Sequence, residues 1–350
     1  MAFTTIAKSS DHFDCPIWVG SDSTTTITGM GFKPDSLWIT GYEGGDHPVL
    51  NNSSEGTGQN WIPSGYNAND TTTYVASYTS DGFTLTGNLA NTNDASNKYV
   101  AACWKINAGT EVTNTTGSIS AEVQVNQTAG ISICRYTGTG ANGTIGHGLG
   151  AVPKYIIGKS TTVADKGDLF NGGTTIYSDT ETDLIQFADT FPHQDDVAGW
   201  NDTKPTDSVW SIGTKTHHNT SGAASIAYCF AEVQGFSKFG YYAGNGNADG
   251  VKIYCGFRPK WVMLKGWDTT DRWISMASGL DGYGLGGRRE RLMDWSSAYR
   301  ATSYLLQFES NGFRLATTDA MVNGLNNKYI YMAFAEMPMV GTNGTIALAI

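Results

Sequence analysis

The chain has 350 residues, a formal net charge of −10 and only 15% Asp, Glu, Lys and Arg, against roughly 25% in ordinary soluble domains. Its 43 glycines stand beside 14 Phe, 10 Trp and 17 Tyr, enough apolar material for a buried core, which excludes a disordered chain. The negative charge argues against nucleic-acid phosphates as a partner, and no apolar run approaches the ~20 residues of a membrane helix, so no membrane insertion is expected.

Residues 1–8 carry no basic stretch followed by an apolar core, so no secretory leader is expected. A glycine turn, Val19-Gly20-Ser21-Asp22, then precedes Gly31-Phe32-Lys33-Pro34 and the apolar run Leu37-Trp38-Ile39. Proline at the head of a strand needs no ladder donor, so this run is predicted to be a strand covered on both faces. Next, Gly82-Phe83-Thr84-Leu85-Thr86 alternates apolar and polar residues as a half-buried strand does. A second apolar run, Tyr99-Val100-Ala101-Ala102-Cys103-Trp104, closes the segment.

The same signals return in the same order. Gly138 precedes Pro153 and the closing run Ser225-Ile226-Ala227-Tyr228-Cys229-Phe230, and Gly244 precedes Gly256-Phe257-Arg258-Pro259 and Tyr329-Ile330-Tyr331-Met332-Ala333-Phe334. The glycine-to-proline interval is 14 or 15 residues each time, and the closing run begins 65, 72 and 70 residues after the proline. Fixed self-similarity of this kind is the mark of an internally repeated architecture. The predicted fold is all-β: three tandem, internally homologous antiparallel β-sandwich units, jelly-roll-like, spanning residues 1–110, 111–235 and 236–350. The links between units are too short for flexible linkers, so the units should pack together, with Phe32, Phe257, Trp104, Phe230 and Phe334 in the core. The one helical stretch expected is Arg288 to Leu292.

Between the two signatures the segments diverge, over residues 44–72, 161–205 and 268–302. Such loops on a regular scaffold are the usual place for binding. Their aromatics, Trp61, Tyr66, Trp200, Trp273, Tyr283 and Trp295, are the candidate ligand-binding residues, set against the plainer reading that the tryptophans plug the ends of each sandwich. Chemistry-bearing motifs are otherwise missing: there is no Gly-x-Ser-x-Gly elbow, His-Glu-x-x-His, P-loop or dinucleotide fingerprint. No catalytic residue, metal site or cofactor is assigned. Adjacent His217 and His218, if in a strand, point to opposite faces, make a poor chelate and read as surface polar residues; His147 in its glycine turn reads as a packing or capping group. Asn245 to Gly250 reads as a plain turn rather than a calcium loop, because it lacks a bidentate glutamate. Cys15, Cys103, Cys134, Cys229 and Cys255 read as free, buried thiols.

The opening Lys8-Ser9-Ser10-Asp11-His12-Phe13, the pair Tyr136-Thr137-Gly138-Thr139-Gly140 and Gly146-His147-Gly148-Leu149-Gly150, and Phe236-Ser237-Lys238-Phe239-Gly240-Tyr241-Tyr242-Ala243-Gly244 together resemble a repeat family of tailed phages, especially marine ones. Tyr329 to Glu336 belongs to the same pattern. Members are tail-fibre-like or virion structural proteins, and the resemblance implies a virion location, with other virion proteins and a homo-oligomer, such as a trimer, as partners. The first segment departs from that pattern in lacking a charged, arginine-containing middle. The function expected is a non-enzymatic virion component that contacts a host-surface glycan or outer-membrane receptor. The alternatives are a capsid-decoration or neck or tail appendage protein, favoured by a first repeat that begins near Met1, and a virion-associated polysaccharide depolymerase, suggested by acidic loops near Trp200 and Trp295.

Overall fold

The computed structural model describes residues 4–43, 47–171, 183–187, 190–280, 290–293 and 306–338. The chain is all-β. Its helices among the described residues are single turns, at Ser9–Asp11, Val197–Trp200, Thr216–Asn219 and Ala320–Asn323, and no helix there is long and apolar enough to cross a membrane. The helix expected at Arg288 to Leu292 is not formed: Glu290–Met293 is a strand paired antiparallel to Trp273–Ala277, while Arg288 and Arg289 lie outside the described residues. An isolated turn of helix is marginal alone, whereas pairing with Trp273–Ala277 gives the backbone of these four residues ladder partners.

Three large antiparallel sheets share one plan. In each, the closing strand lies between the strand that runs into the glycine turn and the strand at the proline. Lys98–Trp104 sits between Phe13–Asp14 with Ile17–Val19 and Ser36–Glu43. Ala224–Phe230 sits between Ile131–Thr137 and Tyr155–Ser160. Lys328–Pro338 sits between Ser237–Ala243 and Phe257–Gly266. Each large sheet faces a small one: Thr25–Ile27 with Gly82–Leu85 and Val75–Thr79; Gly143–Gly146 with Val209–Ile212; Lys252–Tyr254 with Gly312–Leu315 and Leu306–Glu309. These are β-sandwiches, each with its own apolar filling.

The closing strands are apolar throughout because both of their faces are covered. Tyr99, Ala101 and Cys103 enter the first sandwich, whereas Val100, Ala102 and Trp104 point the other way into a core common to all three sheets. Ile226, Tyr228 and Phe230, and likewise Ile330, Met332 and Phe334, enter that same central core. Side chains in a strand alternate between faces, so a continuous apolar run serves two cores at once. The last residues of the three runs meet pairwise: ring centroids are 6.0 Å apart for Trp104–Phe230, 5.3 Å for Trp104–Phe334 and 6.1 Å for Phe230–Phe334. Trp38 and Trp261 pack around them, 5.1 and 5.7 Å from Trp104. The five aromatics expected to be buried are buried, but they divide between two kinds of core: Phe32 and Phe257 fill outer sandwiches, and Trp104, Phe230 and Phe334 fill the centre.

The recurrent glycines have a common reason. A Cβ on Gly20, Gly138 or Gly244 would stand 1.9, 2.3 or 2.2 Å from the carbonyl oxygen of Asp94, Thr220 or Gly324. Beside each lies a fully buried asparagine, Asn93, Asn219 or Asn323. Its Oδ1 accepts the backbone N–H of Ser21 (3.1 Å), Thr139 (2.8 Å) or Asn245 (3.0 Å). Two residues before each glycine, an aromatic donor reaches the carbonyl just ahead of that asparagine: Trp18 to Thr92, Tyr136 to His218 and Tyr242 to Val322. The turn is thus clamped to the start of the closing strand by its backbone and by one amide.

Candidate functional site

Of the aromatics expected to form binding surfaces, three are interior. Trp61, Trp200 and Trp273 are 2%, 1% and 1% exposed, which removes them as platforms for a ligand. Trp61 packs edge-on to Phe187 at 5.3 Å, and Phe187 stacks on Trp273 at 4.4 Å. The indole N–H of Trp273 donates to Gln186 O at 3.0 Å. These two tryptophans therefore sew the first segment to the second and the second to the third, and Gly167 makes room for Trp61, whose ring a Cβ there would meet at 2.3 Å. Trp200 belongs to the second sandwich, stacked on His218 at 4.7 Å. Tyr66 is half-buried with the Lys166 ammonium 5.1 Å from its ring centre. Tyr283 and Trp295 lie outside the described residues.

The tryptophan seams are reinforced by two buried lysines at matching places. Lys159 donates to Asn67 O and Asp165 O, both at 2.9 Å, and Lys265 donates to Gly266 O at 2.8 Å, to Thr269 O at 3.2 Å and, across the seam, to Thr190 O at 3.5 Å. Burial pulls each ammonium down to about 8. The third segment returns to the first through the Lys260–Asp14 ion pair and the stacking of Phe13 on Phe334.

A cleft of about 520 Å³ opens in the loops of the first segment, within the roughly 300–1,000 Å³ usual for small-molecule sites. Its framework is a chain of buried amides. Asn51 donates to Asn60 Oδ1 at 3.0 Å, and Asn60 donates to the carbonyls of Asp70 (3.0 Å) and Thr72 (2.7 Å). Antiparallel backbone hydrogen bonds between Asn60 and Asp70, 2.9 and 2.8 Å, complete the hold. Asp70 is thereby placed on the cleft wall, where its carboxylate accepts from Thr72 N at 2.7 Å and Tyr74 Oη at 3.2 Å. Burial works against the charge of Asp70, but the hydrogen bonds from Thr72 and Tyr74 overcome it and keep the carboxyl below its ordinary range. Asn91 donates to Tyr74 Oη at 3.0 Å, and Ser64 Oγ lies 2.7 Å from His47 Nδ1. His47 and Asn67 are exposed at the rim, and Ile62 and Leu89 supply apolar lining. The expectation of binding groups in residues 44–72 thus meets a cleft there, but one built from amide, hydroxyl and carboxylate groups rather than from Trp61 or Tyr66. The signal available in the sequence was the density of Asn, Asp and Ser around Trp61, not the tryptophan.

A second polar cluster is interior. His217 and His218 are neither in a strand nor surface residues as expected: they lie in the turn Thr216–Asn219 with His218 fully buried, which brings both rings to one carboxylate. His217 Nδ1 is 2.8 Å from Asp168 Oδ2, and His218 Nδ1 is 3.2 Å from it but off-line for a good hydrogen bond. Burial alone would push the Asp168 carboxyl up; hydrogen bonding from His217, with His218 beside it, holds it well below the usual carboxylate range. His218 Nε2 is 3.1 Å from Gly199 O, which ties the cluster to the neighbouring turn. Among the described residues no group of His, Cys, Asp and Glu is arranged to hold a metal ion. His147 braces its turn as expected, through Leu149 N and Thr206 O at 3.2 Å. The turn at Asn245 is closed by its own bonds, with Asn245 Oδ1 accepting from Asn247 N and Asn323 Nδ2. All five cysteines are buried thiols outside any disulfide.

Fold and cleft define an all-β protein of three sandwiches around one aromatic centre, with a polar cleft in the loops of the first. The chain belongs to the DUF7483 family, a domain of unknown function, whose family model matches residues 8–338 and so runs through all three segments. No curated protein and no solved structure matches it.

Proposed function

We propose that this protein is a non-enzymatic structural component of a bacteriophage virion, tail-fibre-like, whose loops contact the host surface. We further read the three segments as copies of one ancestral sandwich. The observation that carries the proposal is the central core shared by three sheets. A particle outside a cell has no chaperone to repair it, so its parts depend on a high barrier to unfolding rather than on equilibrium stability alone. Burying Trp104, Phe230 and Phe334 against one another supports this, because no sandwich can open without exposing the aromatic face of the other two. The low charge content and the resemblance of the signatures to tailed-phage repeat proteins support the same reading. Other virion proteins, and further copies of the chain, are the partners it calls for. Mass spectrometry and electron microscopy of purified particles test it. A low copy number at the tail is the expected result; a copy number matching the capsid lattice makes the protein a decoration without a receptor role, and absence from the particle overturns the proposal.

A further inference from the structure

We propose that the cleft bounded by His47, Asn67, Asp70 and Asn91 binds a neutral sugar residue. The host-surface origin of that sugar rests on the virion reading above; the chemistry of the cleft does not. Recognition of a polyhydroxylated ring requires paired donors and acceptors held at fixed angles, because each hydroxyl both gives and receives a hydrogen bond. Asp70 is such an acceptor. A carboxylate has about four lone-pair positions, and the bonds from Thr72 N, the Thr72 side chain and Tyr74 Oη occupy three, leaving a position for a ligand hydroxyl. Asn67 and His47 add groups at the rim that can donate and accept, and Ile62 and Leu89 offer an apolar patch for the C–H face of a ring.

The polar groups are also held in place before any ligand arrives. Asn60 fixes the backbone of Asp70, Tyr74 fixes its carboxylate, Asn91 fixes Tyr74, and Ser64 fixes the His47 ring. Such preorganisation lowers the ordering cost that weakens binding to loops. Charge selects the class of sugar. Among the described residues the lining contains Asp70 and neither lysine nor arginine, so uronic and sialic acids, phosphates and sulfates meet a like charge that costs affinity. Neutral hexoses and N-acetylhexosamines do not.

The test uses the purified full chain with a panel of neutral hexose and N-acetylhexosamine oligosaccharides, and oligogalacturonic and oligosialic acids as the acidic arm, read by saturation-transfer NMR and titration. Binding of a neutral probe, weakened at least tenfold in both Asp70→Asn and Asn67→Ala, is expected. Asn67 is exposed and Lys159 uses only its main-chain oxygen, so the second variant keeps the fold. Absence of binding by every neutral probe, preference for the acidic arm, or affinity unchanged in both variants overturns the inference. Neutral sugar binding by a protein that is absent from particles would sink the virion reading and leave the cleft standing; presence in particles with no sugar bound would do the reverse.

Discussion

The centre of the molecule and the cleft of its first segment are built by opposite means. At the centre, Trp104, Phe230, Phe334, Trp38 and Trp261 interlock edge to face, and their positions depend on three sheets arriving together. At the cleft, position is set by a relay of single hydrogen bonds from Asn51 through Asn60 to Asp70 and Tyr74. Aromatic area stabilises without much directional choice, whereas amides and carboxylates hold a loop in one geometry and still present lone pairs to solvent. In this protein Trp61 and Trp273, like the five central aromatics, therefore mark seams between segments, and among the described residues the cleft takes only Tyr74 from the Phe, Trp and Tyr side chains.

The sharpest way to break this contrast is to cut the centre. Trp104→Ala should cost about 3–5 kcal/mol, as for other buried aromatics, and Phe334→Ala the same. Because the central core is common property, hydrogen exchange in Ala224–Phe230 and Lys328–Pro338 should accelerate together with that in Lys98–Trp104. Loss of protection confined to the first segment would show three independent sandwiches instead.

An intermediate effect is expected at Asp168. Replacing it with Asn should cost roughly 1.5–3 kcal/mol, the range for a hydrogen bond to a charged group. The native carboxyl lies below its unfolded value, so its contribution is fully present above roughly pH 4 and is lost as the pH falls through and beneath that value toward the native one. Urea unfolding followed from pH 7 to pH 3 should thus show a steeper acid limb for the natural chain than for Asp168→Asn. Parallel limbs would mean that the His217–Asp168 contact adds no linkage.

The smallest effect concerns the turn clamp. Asn323→Ala removes the acceptor for Asn245 N and the donor to the carbonyls of Asn247 and Thr317, bonds of 3.0, 2.8 and 2.7 Å, at a cost of about 1–3 kcal/mol. Asn323→Asp should rescue only the acceptor half. Equal melting temperatures for both variants and the natural chain would show the clamp to be dispensable.

Much of the architecture was legible in the residues. The continuous apolar runs ending in Trp104, Phe230 and Phe334 announced strands covered on both faces, and the glycine and proline punctuation announced short strands and turns. The buried asparagines carry a signal of their own: Asn93, Asn219 and Asn323 each stand six residues before Tyr99, Ser225 and Tyr329. An amide lost among many others in an Asn-rich chain is hard to single out, since burial rather than identity makes it important. The cleft was equally hidden, because Asn60, Asp70 and Asn91 become a site only when separate loops are brought side by side.

Local chemistry by itself determined that the repeated apolar runs of this protein are strands, that glycine and proline punctuate them, and which residues are apolar enough to be buried. It also determined that both faces of the closing strands must be covered, because an uninterrupted apolar strand exposed on either side would have no water-compatible face. Only the tertiary structure decided what covers them. Trp61 and Trp273 read as loop aromatics until Phe187 is seen lying against both, and His217 and His218 read as a strand pair until a single turn of helix carries both to Asp168. The physical reason is range: turn preference and alternation act over a few residues, whereas ring packing and the pairing of a buried charge are settled by whichever distant segment arrives to exclude water.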